Sequence, residues 1–303
     1  MSRSLVRWCN DLTVGLFYRF AASGFIPARW FLPELPPRSA RTGRTGHLHL
    51  EIVSHCWQYA HLLVYQLSSL VIFPPRGATV TMTIYYNPED ARTLDTLNYF
   101  GDFKVPNVVW NWQPLPKRAL FRRAIGRNQS ALATRADWIW FTDCDLMFRN
   151  GCIDVLSGAL QGRRDALVFP LIEHCTSLLT SLDPMLNVDL ERLCIQDIDR
   201  CRFTERRRSR ATGPLQIAHG DVARTCGYCN SLPYYQRPAE SWRKAYEDRA
   251  FRWLLRTDGT PLDIPGVYRI RHADKGRYTG STLGAKLRGW TRRISSRLSE
   301  FRL

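Results

Sequence analysis

The chain has 303 residues, 45% hydrophobic and 12% aromatic, enough for a full core in one large domain or two small ones. It carries 43 Lys and Arg against 27 Asp and Glu, a formal charge of +16. That balance favours anionic partners (nucleic acid, anionic lipid or phosphorylated substrate) without choosing among them. From Arg269 onward ten basic residues face two acids, Asp274 and Glu300. Nine scattered cysteines, an odd number, argue against a disulfide framework and for a reducing, cytoplasmic setting. No stretch is long and apolar enough to span a bilayer: residues 12–26 come nearest, but Arg19 interrupts them and Pro27 and Arg29 follow.

Residues 5–20 place Leu5, Trp8, Leu12, Leu16 and Phe20 on one helical face. A linker rich in Pro, Gly, Ser, Thr and Arg spans 35–46, so residues 1–46 form an N-terminal segment and the globular domain starts near His47. Residues 48–55 alternate as a first strand, and 59–73 have helical period and stop at Pro74-Pro75. A second strand is expected over 78–86, a helix over 89–100, a third strand over 107–112, a helix over 120–134 and a fourth strand over 137–143. A helix over 152–160 leads to a strand over 166–170. Such alternation predicts an α/β fold with a mostly parallel central sheet flanked by helices. Further on, the pattern predicts a helix over 186–200, a basic loop over 202–210, a strand over 215–219, a helix over 239–255 and a strand over 267–272. Residues 47–278 make up the main domain, and 279–303 a basic amphipathic C-terminal helix with Leu283, Leu287, Trp290, Ile294, Leu298 and Phe301 on one face.

Trp138-Ile-Trp-Phe-Thr-Asp143-Cys-Asp145 is the stretch with most chemistry in it. An apolar strand ends in two carboxylates one residue apart, which alternation sends to the same side. Ligands of open α/β sheets bind beyond the carboxyl ends of strands. Paired aspartates there suit Mg²⁺ or Mn²⁺ completed by water and substrate phosphate. Glu247 and Asp248 form an acidic pair on a later helix, read either as a solvated face or as a source of a general base. His272 closes a short strand among cations, a position open to a third metal ligand or a structural histidine. Arg271, Lys275 and Arg277 are candidates for phosphate, Arg127 for diphosphate and Asn128 for a ribose or sugar. Cys194, Cys201, Cys226 and Cys229 could make a structural zinc site or be four ordinary thiols.

In order and spacing, Arg127-Asn128, Ala136 to Asp145 and Tyr246-Glu247-Asp248-Arg249 resemble the GT-A fold of nucleotide-sugar glycosyltransferases, most of all family 2. The resemblance implies a Rossmann-like sheet and a nucleotide-sugar donor. It implies Asp143 at the donor ribose or metal, Asp145 as main metal ligand, His272 as a late metal ligand and Asp248 as the base of an inverting transfer. It also puts Ser54, His55 and Cys56 in the nucleotide pocket and Asn87 or Asp90 near the base. Three departures stand out: Ser54-His55-Cys56-Trp57 replaces the usual turn after the first strand, Asn87-Pro88-Glu89-Asp90 replaces the acidic pair expected after the second, and the Gln-x-x-Arg-Trp motif of processive synthases is absent. The acceptor would be a hydroxyl on a glycan, a lipid-linked sugar or another molecule.

A nucleotidyltransferase of related fold normally has a glycine-rich loop after its first strand, and residues 54–59 contain no glycine. A non-enzymatic, basic anion- or nucleic-acid-binding protein would account for the charge, but no nucleic-acid motif accompanies it, so no nucleic acid is expected. The basic 282–301 stretch suits peripheral contact with an anionic membrane on its cytoplasmic face, or packing against the enzyme body.

Overall fold

The computed structural model describes residues 13–149, 151–241 and 246–273. The expected C-terminal helix, the first part of the N-terminal helix, Lys275 and Arg277 lie outside them.

Strand β1 (Leu48–His55) is buried along nearly its whole length, on both faces, as a central parallel strand should be. It pairs in parallel with β2 (Ala78–Tyr86) on one side and with β4 (Trp138–Phe141) on the other. β3 (Val108–Pro114) joins β2 in parallel and forms a half-exposed edge. Beyond β4 come β9 (Gln216–His219), antiparallel to both its neighbours, then β6 (Leu167–Pro170) and β10 (Thr260–Leu262). The seven-stranded sheet is thus mostly parallel, in the order β10-β6-β9-β4-β1-β2-β3.

Between the strands lie the helices α2 (Ala60–Ile72), α3 (Ala91–Gly101), α4 (Lys117–Leu120), α5 (Arg123–Ala133), α6 (Cys152–Leu160) and α7 (Gly220–Cys226), and α8 (Glu247–Leu254) follows β9 and α7. The helix numbered α1 covers 13–20. α2 buries all but its last two residues and so sits inside the molecule rather than on it. α5 comes close to the ends of β1 and β2 because residue 126 is glycine. A Cβ there would lie 2.4 Å from His55 Nε2 and 2.8 Å from the Tyr85 ring.

A second, four-stranded sheet has the order β5-β11-β7-β8, made of β5 (Leu146–Phe148), β7 (Ile172–Thr176), β8 (Phe203–Arg207) and β11 (Val267–Arg269). β5 follows the Asp143–Asp145 turn directly, so this sheet begins where the acidic pair ends.

Three expectations change. Residues 186–200 form no α-helix: side chains of Asp189, Asp197 and Asp199 take the backbone N–H groups of Glu191, Ile198 and Cys201, local bonds that compete with a helical ladder. The basic loop contains β8, an edge strand whose arginines suit an unpaired edge. Helix 239–255 shortens to α8, entered through Tyr246 in a left-handed conformation, φ 55°. The expected linker lies along the body: Arg41 donates to Arg164 O at 2.8 Å and Thr42 N to Asp221 at 2.7 Å. Just before it, Trp253 Nε1 donates to Ile26 O at 2.8 Å.

Candidate active site

The turn 142–145 leaves β4 at the carboxyl ends of the parallel strands, and α2 holds it from below. Gln66, fully buried, donates from its amide nitrogen to Asp143 O and Leu146 O, each at 2.9 Å. Its signature in sequence is faint: one amide in an otherwise apolar helix stretch, Leu62-Leu-Val-Tyr-Gln66-Leu. Cys144 points inward and is buried. Contact with Cys56 and burial push its thiol well above the usual range. All eight described cysteines are free, with Cys226 and Cys229 buried and Cys194 and Cys201 exposed.

Asp143 meets two arginines of α5. Arg123 Nη1 bonds its Oδ1, and Arg127 Nη2 lies 3.2 Å from the same oxygen. Arg127 is completely buried; it also donates to Thr142 O at 3.1 Å and to Tyr228 Oη at 3.0 Å. The Tyr228 hydroxyl donates to Gln216 Oε1 at 2.9 Å, and Gln216 Nε2 donates to Asp248 O at 3.0 Å. A continuous buried network therefore ties the acidic turn to the start of α8. Arg127, expected to touch diphosphate, is instead enclosed within it. Asn128 is likewise occupied: its oxygen accepts from Tyr228 N at 2.9 Å and its nitrogen donates to Asn230 at 3.1 Å. Those bonds fasten the 227–230 turn.

The two acids of α8 diverge. Glu247 is 4% exposed, and its Oε1 lies 3.3 Å from Arg123 Nη2, so one guanidinium spans Glu247 and Asp143. Burial disfavours charge on Arg123, but the two carboxylates outweigh it and raise its pKa well above the usual value. Asp248 faces Arg252, 3.8 Å away, with its side chain 36% exposed. One residue along a helix is about 100° of rotation, so only one of the pair can face the turn, and that one is Glu247. The Asp248 side chain, implied as the base, is turned toward Arg252.

Asp145 and His272 are both buried, with His272 Nε2 4.0 Å from Asp145 Oδ2 and its ring edge-on to Tyr59. Ligand atoms of Mg²⁺ or Mn²⁺ sit at about 2.0–2.1 Å, so two atoms on one ion are at most ~4.2 Å apart. The pair fits that span, and a cation held by one carboxylate and one imidazole would take its remaining ligands from water and phosphate. Asp143 does not complete a trio. Among the described residues no group of three or more His, Cys, Asp and Glu side chains is placed to hold a metal; Asp143 is engaged with the arginines instead.

At the end of β1, Ser54 is fully buried and its hydroxyl has no hydrogen-bond partner among the described residues. His55 stacks on Tyr85, ring centres 5.1 Å apart, and neither ring nitrogen has a hydrogen-bond partner among those residues. Burial, with Arg127 and Arg123 adding repulsion, drives the His55 pKa well below 6.5. Its contribution to stability is therefore complete above pH 6.5 and is lost as pH falls below that value, because the unfolded chain takes up a proton that the native imidazole refuses. His55→Gln is expected to flatten the fall in unfolding free energy below pH 6.5 by up to ~1.4 kcal/mol per pH unit. Urea unfolding of both proteins at pH 5.0, 5.5, 6.0 and 7.0 checks this; parallel curves refute it.

Asn87 and Asp90, expected near a nucleotide base, serve the backbone. Asn87 donates to Leu115 O at 2.8 Å and accepts from Glu89 N at 2.9 Å. Asp90 caps α3 through Thr93, accepting from its hydroxyl at 2.6 Å.

No family model matches the chain, and no curated protein does. Among solved structures it is similar to a mannosyltransferase, PcManGT from Pyrobaculum calidifontis, in complex with GDP-Man and Mn²⁺ (13% identity, TM-score 0.45, 99% of this chain and 75% of that one). It is also similar to residues 1–349 of S. aureus TarS, at 11% identity and TM-score 0.45 over 76% of this chain and 62% of that one. The same TarS piece with UDP gives 10% identity and TM-score 0.46 over 74% and 60%. The chain thus spans less than two thirds of the TarS structures.

Proposed function

We propose that the protein is a metal-dependent glycosyltransferase that moves a sugar from a nucleotide-sugar donor to an acceptor hydroxyl. The reading is carried by one observation: a buried Asp145–His272 pair, with Nε2 4.0 Å from Oδ2, sits beside the acidic turn at the carboxyl ends of the parallel strands. Asp145 and His272 would hold Mn²⁺ or Mg²⁺, which when bound neutralises charge building on the nucleoside diphosphate leaving group. Asp143, fixed by Arg123 and Arg127, keeps the turn in place and remains the nearest acid for the donor ribose. Ser54 and His55 would line the nucleotide pocket, with His55 a neutral, stacked surface. Glu247 would take the proton from the acceptor hydroxyl, and attack from the face opposite the leaving group would invert the anomeric centre.

The test is slow hydrolysis of nucleotide sugars in the absence of acceptor. Release of nucleoside diphosphate is expected for one donor of a panel, abolished by chelation and at least tenfold lower in Asp145→Ala. Silence across the panel in Mn²⁺ and Mg²⁺, without donor binding by calorimetry, removes the reading.

We also infer peripheral membrane contact, now from the N-terminal segment. Leu16, Phe17, Phe20, Phe25 and Trp30 are all large, apolar and exposed, and they fall within fifteen residues that also carry Arg19 and Arg29. Apolar side chains beside cations suit the headgroup boundary of anionic lipid. Among the described residues no helix is long and apolar enough to cross a membrane. Phe20→Glu with Phe25→Glu is expected to lower binding to phosphatidylserine vesicles at least tenfold in a sedimentation assay; unchanged binding would dismiss this surface.

A further inference from the structure

The second sheet carries a charge imbalance that the proposed chemistry leaves unused. In the register of β7, β8 and β11, Glu173 stands opposite Arg206, and Cys175 opposite both Thr204 and Arg269. Alternation along the strands puts Glu173, Cys175, Arg206 and Arg269 on one face. Arg208, which continues the ladder by donating its N–H to Leu171 O at 2.7 Å, falls on that face too.

Glu173 is fully buried at the floor of this cluster. Its Oε1 is shared by Arg208 Nη2 and, at 3.0 Å, by Arg269 Nη2. The two guanidiniums are neither sealed in nor at the open surface, with side chains 24% and 17% exposed. Arg271 is close enough to act on Arg208 electrostatically: burial, Arg269 and Arg271 together lower the Arg208 pKa to about 10. Buried Nε–H groups of Arg206, Arg208 and Arg269 have no acceptor among the described residues. One carboxylate thus orients two cations, with Arg206 opposite it in the register and Arg271 near Arg208. Paired buried charge normally comes close to balance, because an excess costs desolvation without return. An excess with open donors matches the fork geometry by which arginines take planar or tetrahedral oxyanions.

We propose that Arg208, Arg269 and Arg271, set around Glu173, bind an anionic group, phosphate or carboxylate, carried by the acceptor. The site is distinct from the place of the donor diphosphate, since Asp145 and His272 belong to a different group of side chains. It lies next to them through β11 and its continuation: Ile270 N donates to Asp145 O at 2.9 Å, and His272 follows Arg271. The assignment to the acceptor rests on the glycosyl-transfer reading; the anion site does not.

The experiment is calorimetry on the full chain without nucleotide sugar, using glycerol 3-phosphate, glucuronate and, as neutral control, glucose. Either anion is expected to bind while glucose does not, and the tighter of the two identifies the chemical class. Arg208→Gln and Arg269→Gln, each of which leaves Glu173 one guanidinium, are expected to weaken binding at least tenfold. Arg271→Gln, which removes no bond to Glu173, should weaken it as well and serves if the other variants do not fold. Absence of binding by both anions overturns the site, as does binding that all three variants retain. Anion binding in a protein that hydrolyses no donor would leave the site standing and remove its assignment to an acceptor.

Discussion

Arg127→Met is expected to lower the unfolding free energy by about 3–5 kcal/mol, the range for removing one partner of a buried ion pair. The reason is the number of groups that one guanidinium serves. Arg127 is fully buried and reaches the Asp143 carboxylate, Thr142 O and Tyr228 Oη. Methionine has comparable length but no donor, so it leaves a carbonyl and a carboxylate oxygen short of partners inside the molecule. Arg123 still holds Asp143 from the more exposed side, which keeps the loss from being larger. Arg127→Lys should recover little, because a single ammonium cannot spread across three acceptors as the fork does. Urea unfolding gives the measurement: a midpoint that moves by the stated free energy at unchanged slope agrees, and a loss below 1 kcal/mol would mean that the network does not hold the turn.

Glu247→Gln is expected to reduce turnover 10²–10⁴-fold, the usual contribution of a positioned general base, while Asp248→Asn reduces it less than fivefold. Both isosteric changes remove a charge at neighbouring positions of α8, so they separate direction from electrostatics. Glu247 shares Arg123 with Asp143, whereas Asp248 lies against Arg252 with a partly exposed side chain. Turnover is read as nucleoside diphosphate released per enzyme, with melting temperature as the check on folding. Glutamine keeps the length that meets Arg123 but loses both the charge and the ability to accept a proton. The reverse ranking, with Asp248→Asn the crippled variant, would return the base to the position that the family resemblance implies.

Much of the architecture is legible before any tertiary contact is known. β1, β2 and α6 have the limits that alternation and helical period predict, and β4 covers the apolar core, Trp138–Phe141, of the strand expected over 137–143. These elements are long or wholly apolar, so local pattern and burial agree. β5 and β10 have three residues each, too short for any period, β11 keeps only the first three residues of the strand expected over 267–272, and β8 is a run of charge that becomes a strand only because β7 offers its edge. The 186–200 segment misleads in the opposite direction: its apolar spacing is helical, yet its aspartates bond the backbone locally.

For the site, the sequence by itself determined the chemistry on offer: an acidic pair at the end of a buried strand, a later acidic pair and a late histidine. It could not determine which atoms meet. Side-chain direction at the start of a helix depends on how that helix is entered, and the left-handed Tyr246 turns Glu247 rather than Asp248 toward Arg123. Likewise Arg127 and Asn128 have the composition of ligand contacts, but the approach of α5 to the sheet at Gly126 encloses them. Only the tertiary structure decided that Gln66 supports the acidic turn and that Arg206, Arg208 and Arg269 share one buried glutamate's face, because each of those relations joins residues whose distance along the chain has no bearing on their distance in space.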